Sequence, residues 1–339
     1  MINLPTQNIV VMKILYAVQG TGNGHLSRAM DIVPCLRELG EVDVLVSGIQ
    51  ADLSLPFEVK YRFHGLSFIF GKSGGVDLWK TFMSSTIRKF TNEIKSLPIE
   101  NYDLVINDFE PISAWACHSK DLECIGLSHQ IAALDPASPK PDESDMLGKF
   151  IMKNYAPSTH SYGFHFKRYS KHIYPPVIRN AVRELNVTDQ GHYTVYLPAY
   201  DDAHLLKHLM KFPDVKWDVF SKHNSKAFEM KNVTIKPINN QSFIESMASS
   251  SGVLCGAGFE TPAEALYLKK KLLVIPMKNQ YEQHLNAASL EEMGVPVISS
   301  LKQKNMLAIE AWLNSKSRVE VDYPNITQEI INEIVQKHR

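Results

Sequence analysis

The chain has 339 residues, 44% of them hydrophobic and 21% charged, a balance that excludes a disordered protein and gives room for two domains of ordinary size. Its 36 basic residues match its 36 acidic ones, so no overall field draws it onto nucleic acid or anionic lipid. The four cysteines, Cys35, Cys117, Cys124 and Cys255, form no CxxC pair, which argues against a zinc site or a disulfide framework and reads them as small buried residues.

No apolar run reaches the roughly 18 residues of a membrane span, and the opening "MINLPTQNIVVMKILYAV" lacks the basic segment of a secretory signal. The expectation is a cytoplasmic protein with at most peripheral contact at the inner face of a membrane and no nucleic-acid partner. From Lys13 onward, short β-rich runs alternate with stretches of helical length, the pattern of a parallel sheet covered by helices. "KILYAV", "VDVLVS", "DLVIND" and "CIGLSH" read as strands, and Leu26–Leu39, Leu78–Ser96 and Pro111–Lys120 as helices between them. The rhythm breaks in "SYGFHFKRYSKHIYPPVIRNAVRELNVTDQG", whose Pro-Pro pair and mixed polar residues suggest a passage between domains. It resumes with strands "YTVYLPA", "KWDVFS", "VTIKPI", "GVLCGAG" and "KLLVIPM" and helices at Asp202–Lys211, Ser242–Ser249, Pro262–Leu268 and Gln283–Glu292. The predicted fold class is therefore α/β, with two Rossmann-like domains facing across a cleft: residues 13–165, a passage over 166–190, a second domain over 191–323, and a C-terminal helix over 324–339 that crosses back to the first.

The first strand runs into "GTGNGHLSRA". A dinucleotide fingerprint needs GxGxxG there and an acidic residue closing the second strand. Gly20, Gly22 and Gly24 are instead spaced GxGxG, and Ser47, Gly48 and Gln50 stand where the carboxylate belongs. What remains is a tight turn presenting His25 at the opening of a helix, where the positive end of the helix dipole favours the neutral imidazole and so a general base. The bland alternative is a histidine that only closes the turn.

Farther on, Gly256-Ala257-Gly258 follows a strand and precedes a helix at Thr261-Pro262, with Glu264 after it. Thr261 to Glu264 reads in isolation as a capping box. The glycines also leave amide donors free at a helix N-terminus, a site for a diphosphate. A polar cluster, Asn279, Gln280, Glu282, Gln283 and His284, follows the next strand at the same sheet edge.

"GTGNGHLSRA" together with "GAGFETPAEALYLKKKLLVIPMKNQYEQHLNA" resembles the two signatures of GT-B nucleotide-sugar glycosyltransferases, in particular the family 28-like group of muramyl-peptide N-acetylglucosaminyltransferases and its uncharacterised bacterial and archaeal homologues; "LSHQIA" is similar to a His/Gln motif of the same family. The resemblance spans nearly the whole chain. It departs at Arg28, where the muramyl enzymes carry proline, and after His129, where their Glu-Gln-Asn continuation is missing. It implies a two-domain fold whose C-terminal half binds a nucleoside-diphosphate sugar, UDP-linked by family preference, and whose N-terminal half binds a hydroxyl acceptor, lipid-linked or glycan. Carried over by position, Gly256, Ala257, Gly258 and Thr261 would meet the diphosphate. Glu264 would bind the ribose, and Glu282 and Gln283 the transferred sugar. His25 would be the base of an inverting transfer, oriented by Asp108, with Glu110 and His129 as alternatives; Gly22, Gly24 and His129 would form the acceptor-side loop. No cofactor is expected, the nucleotide sugar being a substrate, and no metal, since no Asp-x-Asp doublet sits between apolar strands; Asp201-Asp202 reads as a helix cap. A sugar-nucleotide 2-epimerase and a non-catalytic two-lobed binding protein are the alternatives. "FHFKRYSKH" reads as a solvated strand or a lipid-touching segment, and Lys269–Lys271 as a helix C-terminus whose dipole favours positive charge, with no ligand.

Overall fold

The computed structural model of the chain describes residues 11–48, 55–66, 87–142 and 145–339; the first part of the expected Leu78–Ser96 helix, and Gln50, lie outside them. In the first half, strands β1 (Lys13–Gln19), β2 (Glu41–Ser47), β3 (Tyr61–Phe63), β4 (Leu104–Asp108), β5 (Ile125–Leu127), β6 (His160–Phe164) and β7 (Ile173–Tyr174) form a sheet in the order β3-β2-β1-β4-β5-β6-β7. Every pairing in it is parallel. Helices α1 (Asn23–Arg37), α2 (Ile87–Ser96), α3 (Pro111–Ser119), α4 (His129–Leu134), α5 (Met146–Tyr155) and α6 (Asn180–Arg183) connect or flank the strands. Strand β1 is buried at every position after Lys13, as a strand covered by helices on both faces must be.

The second half repeats the plan. Strands β8 (His192–Tyr196), β9 (Lys216–Ser221), β10 (Phe228–Met230), β11 (Val233–Pro237), β12 (Gly252–Gly256) and β13 (Lys271–Ile275) pair in the order β10-β11-β9-β8-β12-β13, antiparallel only at β10–β11. Helices α7 (Asp202–Leu209), α8 (Asn240–Ser249), α9 (Glu260–Tyr267), α10 (Tyr281–Glu292) and α11 (Met306–Asn314) accompany them. The closing helix α12 (Thr327–Lys337) packs on α1 of the first half, burying Ile330, Ile331, Ile334 and Val335 in the cluster that holds Ile32 and Leu36. At about 2 kcal/mol for each buried aliphatic side chain, this contact ties the chain's end firmly to its beginning. No helix among the described residues is long and apolar enough to cross a membrane.

In each half the strand order reverses beside the first strand, between β1 and β4 and between β8 and β12. Ligands of open parallel sheets bind beyond the carboxyl ends of the strands at such reversals. Both glycine loops leave their strands there, and the register pairs Val18 with Asp108 and Tyr196 with Cys255, so each loop has a neighbouring strand end beside it.

Several local expectations change. Helix α9 begins at Glu260 with Phe259 before it and no side-chain cap, so the Thr261–Glu264 capping box does not form; Glu264 is drawn to a cation instead. Asp201 does cap α7, accepting from the amide of His204. Phe164, His165 and Phe166 are buried, so this part of "FHFKRYSKH" is core rather than solvated surface. Lys270 and Lys271 are buried as well. Lys270 donates to the carbonyls of Thr188 and Ser250, and Lys271 to those of Leu313 and Ser315.

Candidate active site

His25 lies in the first turn of α1, after Gly22, whose φ of 89° is a left-handed conformation that glycine adopts without strain. Asp108 is the last residue of β4, the strand next to β1. The two meet with His25 Nδ1 2.9 Å from Asp108 Oδ1. On the other side of the ring, Gln130 Nε2 stands 3.1 Å from His25 Nε2 and also donates to Glu282 Oε2 at 3.0 Å. An amide nitrogen that donates to Nε2 makes Nε2 the acceptor, which leaves the proton on Nδ1 to be donated in a hydrogen bond to Asp108; Arg28 Nη2 crowds the same Nδ1 at 3.0 Å. This is the tautomer in which Nε2 serves as a base, held by a carboxylate on the far nitrogen.

Asp108 is fully buried and receives a bidentate contact from Arg28, Nε to Oδ2 at 2.9 Å and Nη2 to Oδ1 at 2.8 Å. The Tyr16 hydroxyl adds a longer contact to Oδ2, at 3.3 Å. Burial pushes the Asp108 carboxyl up, but Arg28 and His25 more than offset it and hold it at about 2. It is therefore a fixed anion. Arg28 itself is 2% exposed and extends its remaining nitrogen, Nη1, to Glu260 Oε1 at 2.5 Å. Glu260 opens α9 in the other half, so one guanidinium joins the two glycine loops.

Phe109 follows Asp108 with φ 56°, an uncommon conformation for a bulky residue. It sets the ring parallel to His25, with centroids 6.3 Å apart, and against Tyr155. His25, Phe109, Ile151, Met152, Tyr281 and Glu282 line a cavity of about 130 Å³. Beside it Gln19 Oε1, Thr21 Oγ1 and Gln130 Oε1 are buried with no hydrogen-bond partner among the described residues. Such atoms are uncommon in folded proteins and mark places where a ligand or water completes the bonding.

A second cavity, about 750 Å³, opens in the C-terminal half between Tyr196–Tyr200 and the second glycine loop. Gly256, Gly258, Thr261 and Gln283 line it, together with Lys278, Lys302 and Lys304. Gln283 is anchored there by accepting from the Met277 amide at 2.9 Å. Glu282 and Gln283 thus part company: Glu282 faces the cavity of His25, and Gln283 the cavity of the glycines.

Three of the residues singled out from sequence sit deeper. Ala257 is fully buried, and its carbonyl accepts from Asn286. Glu264 is 2% exposed, with both oxygens held by Arg179 at 2.5 and 2.7 Å. His129 is 1% exposed, stacked on Phe259 at 3.8 Å, with Nδ1 near the Phe164 carbonyl and Nε2 near Asn286. Burial pushes its pKa down, and its ring knits the halves together while its neighbour Gln130 faces the cavity. Glu110 caps α3, accepting from the amides of Ile112 and Ser113. It is fully buried, with both oxygens engaged by these amides. The one grouping of three candidate metal ligands among the described residues, Glu123, His160 and His338, lies at the opposite, amino-terminal edge of the first sheet.

Gln130, Arg28 and Glu260 were not identified from sequence as site residues. Arg28 falls one helical turn after His25, the spacing that puts two side chains on one face of a helix, and that was the available signal. The profile of glycosyl transferase family 1 matches residues 12–315. The chain belongs to this family. No protein of curated function matches its sequence. Among solved structures it is similar to the glycosyltransferase SnogD from Streptomyces nogalater, at 15% identity over 97% of this chain and 95% of that one, with a TM-score of 0.51. It is similar to MurG of Acinetobacter baumannii at 11% identity over 96% and 99%, TM-score 0.56. It is also similar to UGT89C1 of Arabidopsis thaliana, solved with UDP, at 11% identity over 96% and 99%, TM-score 0.58. At such identities the likeness establishes the two-domain GT-B fold; the family match makes the chain a sugar-transferring enzyme.

Proposed function

We propose that this glycosyltransferase moves a sugar from a nucleoside diphosphate, UDP in the first instance, to a hydroxyl acceptor, with inversion at the anomeric carbon and no metal ion. The observation that carries this reading is His25, locked by Asp108 on one nitrogen and presenting the other to a cavity between the two halves. The incoming hydroxyl takes the place of the Gln130 amide at Nε2, gives its proton to His25 as its oxygen attacks the anomeric carbon, and the diphosphate leaves with the electron pair of the broken bond. General-base assistance of this kind is worth about 10²–10⁴ in rate.

The donor's phosphates lie in the larger cavity on Gly256, Gly258 and Thr261, where the uncapped start of α9 offers amides and a positive dipole end to the leaving group. Gln283 and Glu282 flank the transferred sugar from the two sides. Glu264, turned inward on Arg179, supports the ribose end of this site by holding α9 to the segment before α6. The acceptor occupies the cavity of Phe109, Met152 and Tyr281, and its further hydroxyls donate to the unpartnered oxygens of Gln19, Thr21 and Gln130. One of the structural neighbours was solved with UDP and another, from Phytolacca americana, with UDP-2-fluoro-glucose and pterostilbene, which supports a nucleotide-sugar donor here.

The test is incubation with a panel of nucleotide sugars and hydroxyl acceptors, following nucleoside diphosphate release and the anomeric configuration of the product by NMR. Product of opposite configuration, lost in His25→Ala, is the expected result. An isomerised nucleotide sugar without acceptor would establish the 2-epimerase instead, and retention of configuration would remove the single-displacement mechanism.

A further inference from the structure

The ion pair that joins the two glycine loops has properties that neither loop needs for its own fold. Arg28 meets two carboxylates, one from each half, and they are not equivalent. Asp108 is fully buried and holds two of the three guanidinium nitrogens, whereas the Glu260 side chain is 25% exposed and holds the third through one oxygen. Pulling Arg28 away from Asp108 would strand a buried anion. Letting Glu260 swing into water costs far less, because its charge stays solvated.

Glu260 is also the first residue of α9, whose start has no side-chain cap. Glu260 thus stands in the first turn of the helix, where negative charge is stabilised. In sequence it lies between Gly258 and Thr261 of the larger cavity, with its carboxylate turned to Arg28 and Gly24 at that cavity's border. A diphosphate seated on Gly258 and Thr261 would meet a favourable dipole with this carboxylate as its neighbour. Gly24 completes the arrangement. A Cβ at that position would overlap the Glu260 carboxylate, so the third glycine of the first loop is what lets Glu260 reach Arg28.

Building on the donor reading above, we propose that Arg28 is a donor-phosphate ligand contributed by the N-terminal half, and that Glu260 fills its place until a nucleoside diphosphate displaces it. The phosphate oxygen takes over Nη1, Glu260 turns out to solvent, and Asp108 keeps the guanidinium where it was. The cation then faces the oxygens on which charge gathers as the glycosidic bond breaks, while the same guanidinium still braces the carboxylate that orients His25. Arrival of the donor and alignment of the base are thereby tied to one side chain. No bond other than hydrogen bonds is exchanged in the displacement.

The experiment measures binding of UDP and of uridine by calorimetry to the wild type, Glu260→Gln and Arg28→Lys. Glu260→Gln removes the competing charge and keeps the shape, so UDP should bind about tenfold tighter, within the usual span of coupled sites, while uridine, which has no phosphate to compete, binds as before. Arg28→Lys keeps a charge but loses the fork, and should weaken UDP without weakening uridine. Wild-type-like UDP binding by Glu260→Gln, or equal weakening of UDP and uridine in Arg28→Lys, would overturn the proposal and leave the donor site standing. Absence of UDP binding to wild type and both variants would overturn this proposal together with the UDP reading of the donor site.

Discussion

Asp108→Asn is the substitution that separates orientation from mere contact. Asparagine keeps the size of the side chain and removes its charge. Two consequences follow from the geometry. In stability, Asp108 is held at about 2 against an ordinary 3.8, and at 1.36 kcal/mol for each unit the ionised carboxylate contributes about 2 kcal/mol to folding at neutral pH. Because the folded-state pKa is the lower one, this contribution is complete above pH 3.8 and disappears as pH falls toward 2. In catalysis, an amide that donates to Nδ1 would move the imidazole proton to Nε2 and leave no acceptor for the substrate hydroxyl, a change that costs up to about 10⁴ in kcat in a comparable His-carboxylate pair. Urea unfolding of wild type and variant at pH 7 and at a series of acid values, beside kcat for nucleoside diphosphate release with water or a screened acceptor, reads both. The expected variant is about 2 kcal/mol less stable at pH 7, loses that part of its stability difference in acid, and is slowed at least a hundredfold. A variant with kcat within a factor of ten of wild type would refute the assignment of Asp108 as the residue that sets the tautomer of His25.

His25→Ala should lower kcat by about 10²–10⁴ while leaving the affinity for UDP within a factor of two or so of wild type, measured by calorimetry, since the ring faces the acceptor side. Glu264→Ala should cost about 3 kcal/mol in urea unfolding, because it strands the Arg179 guanidinium; unchanged stability would mean that the bidentate pair has no weight in the fold. Phe109→Gly relieves the left-handed backbone but removes a ring packed on His25 and Tyr155, so its stability should change by no more than about 1 kcal/mol while KM for acceptor rises. A thermal melt and acceptor titration check the two halves of that expectation.

The alternation of apolar runs with amphipathic stretches is a strong local signal, and it made nine of the strands readable between Lys13 and Ile275; the short strands β3, β6, β7 and β10 were missed because runs of two to five residues carry too little periodicity. The switch-point rule then placed both glycine loops at ligand-binding edges, and neighbouring strand ends brought His25 and Asp108 together. Long-range partners were not legible. Glu264 looked like the end of a capping box because its local pattern is one; the helix starts a residue earlier, at Glu260, and Arg179, 85 residues away in sequence, claims the carboxylate. His129 and Gln130 are adjacent, and nothing local says which of them turns toward the cavity and which toward Phe259. Arg28 was visible as a departure from the muramyl-enzyme pattern, but its partner Glu260 lies 232 positions away, and only the folded pair gives the substitution a reason. Lys270 and Lys271 were legible as charges at a helix C-terminus, but not their partners, the carbonyls of Thr188, Ser250, Leu313 and Ser315, which hold them inside.

The most direct test of a nucleoside-diphosphate donor is a thermal-shift panel of UDP, GDP, dTDP and NADH on the wild-type chain. A ligand at about a hundred times its dissociation constant adds roughly 2.7 kcal/mol to the state that binds it. Stabilisation by one nucleoside diphosphate and none by NADH is the predicted result; stabilisation by NADH alone, or by no member of the panel, would contradict the account.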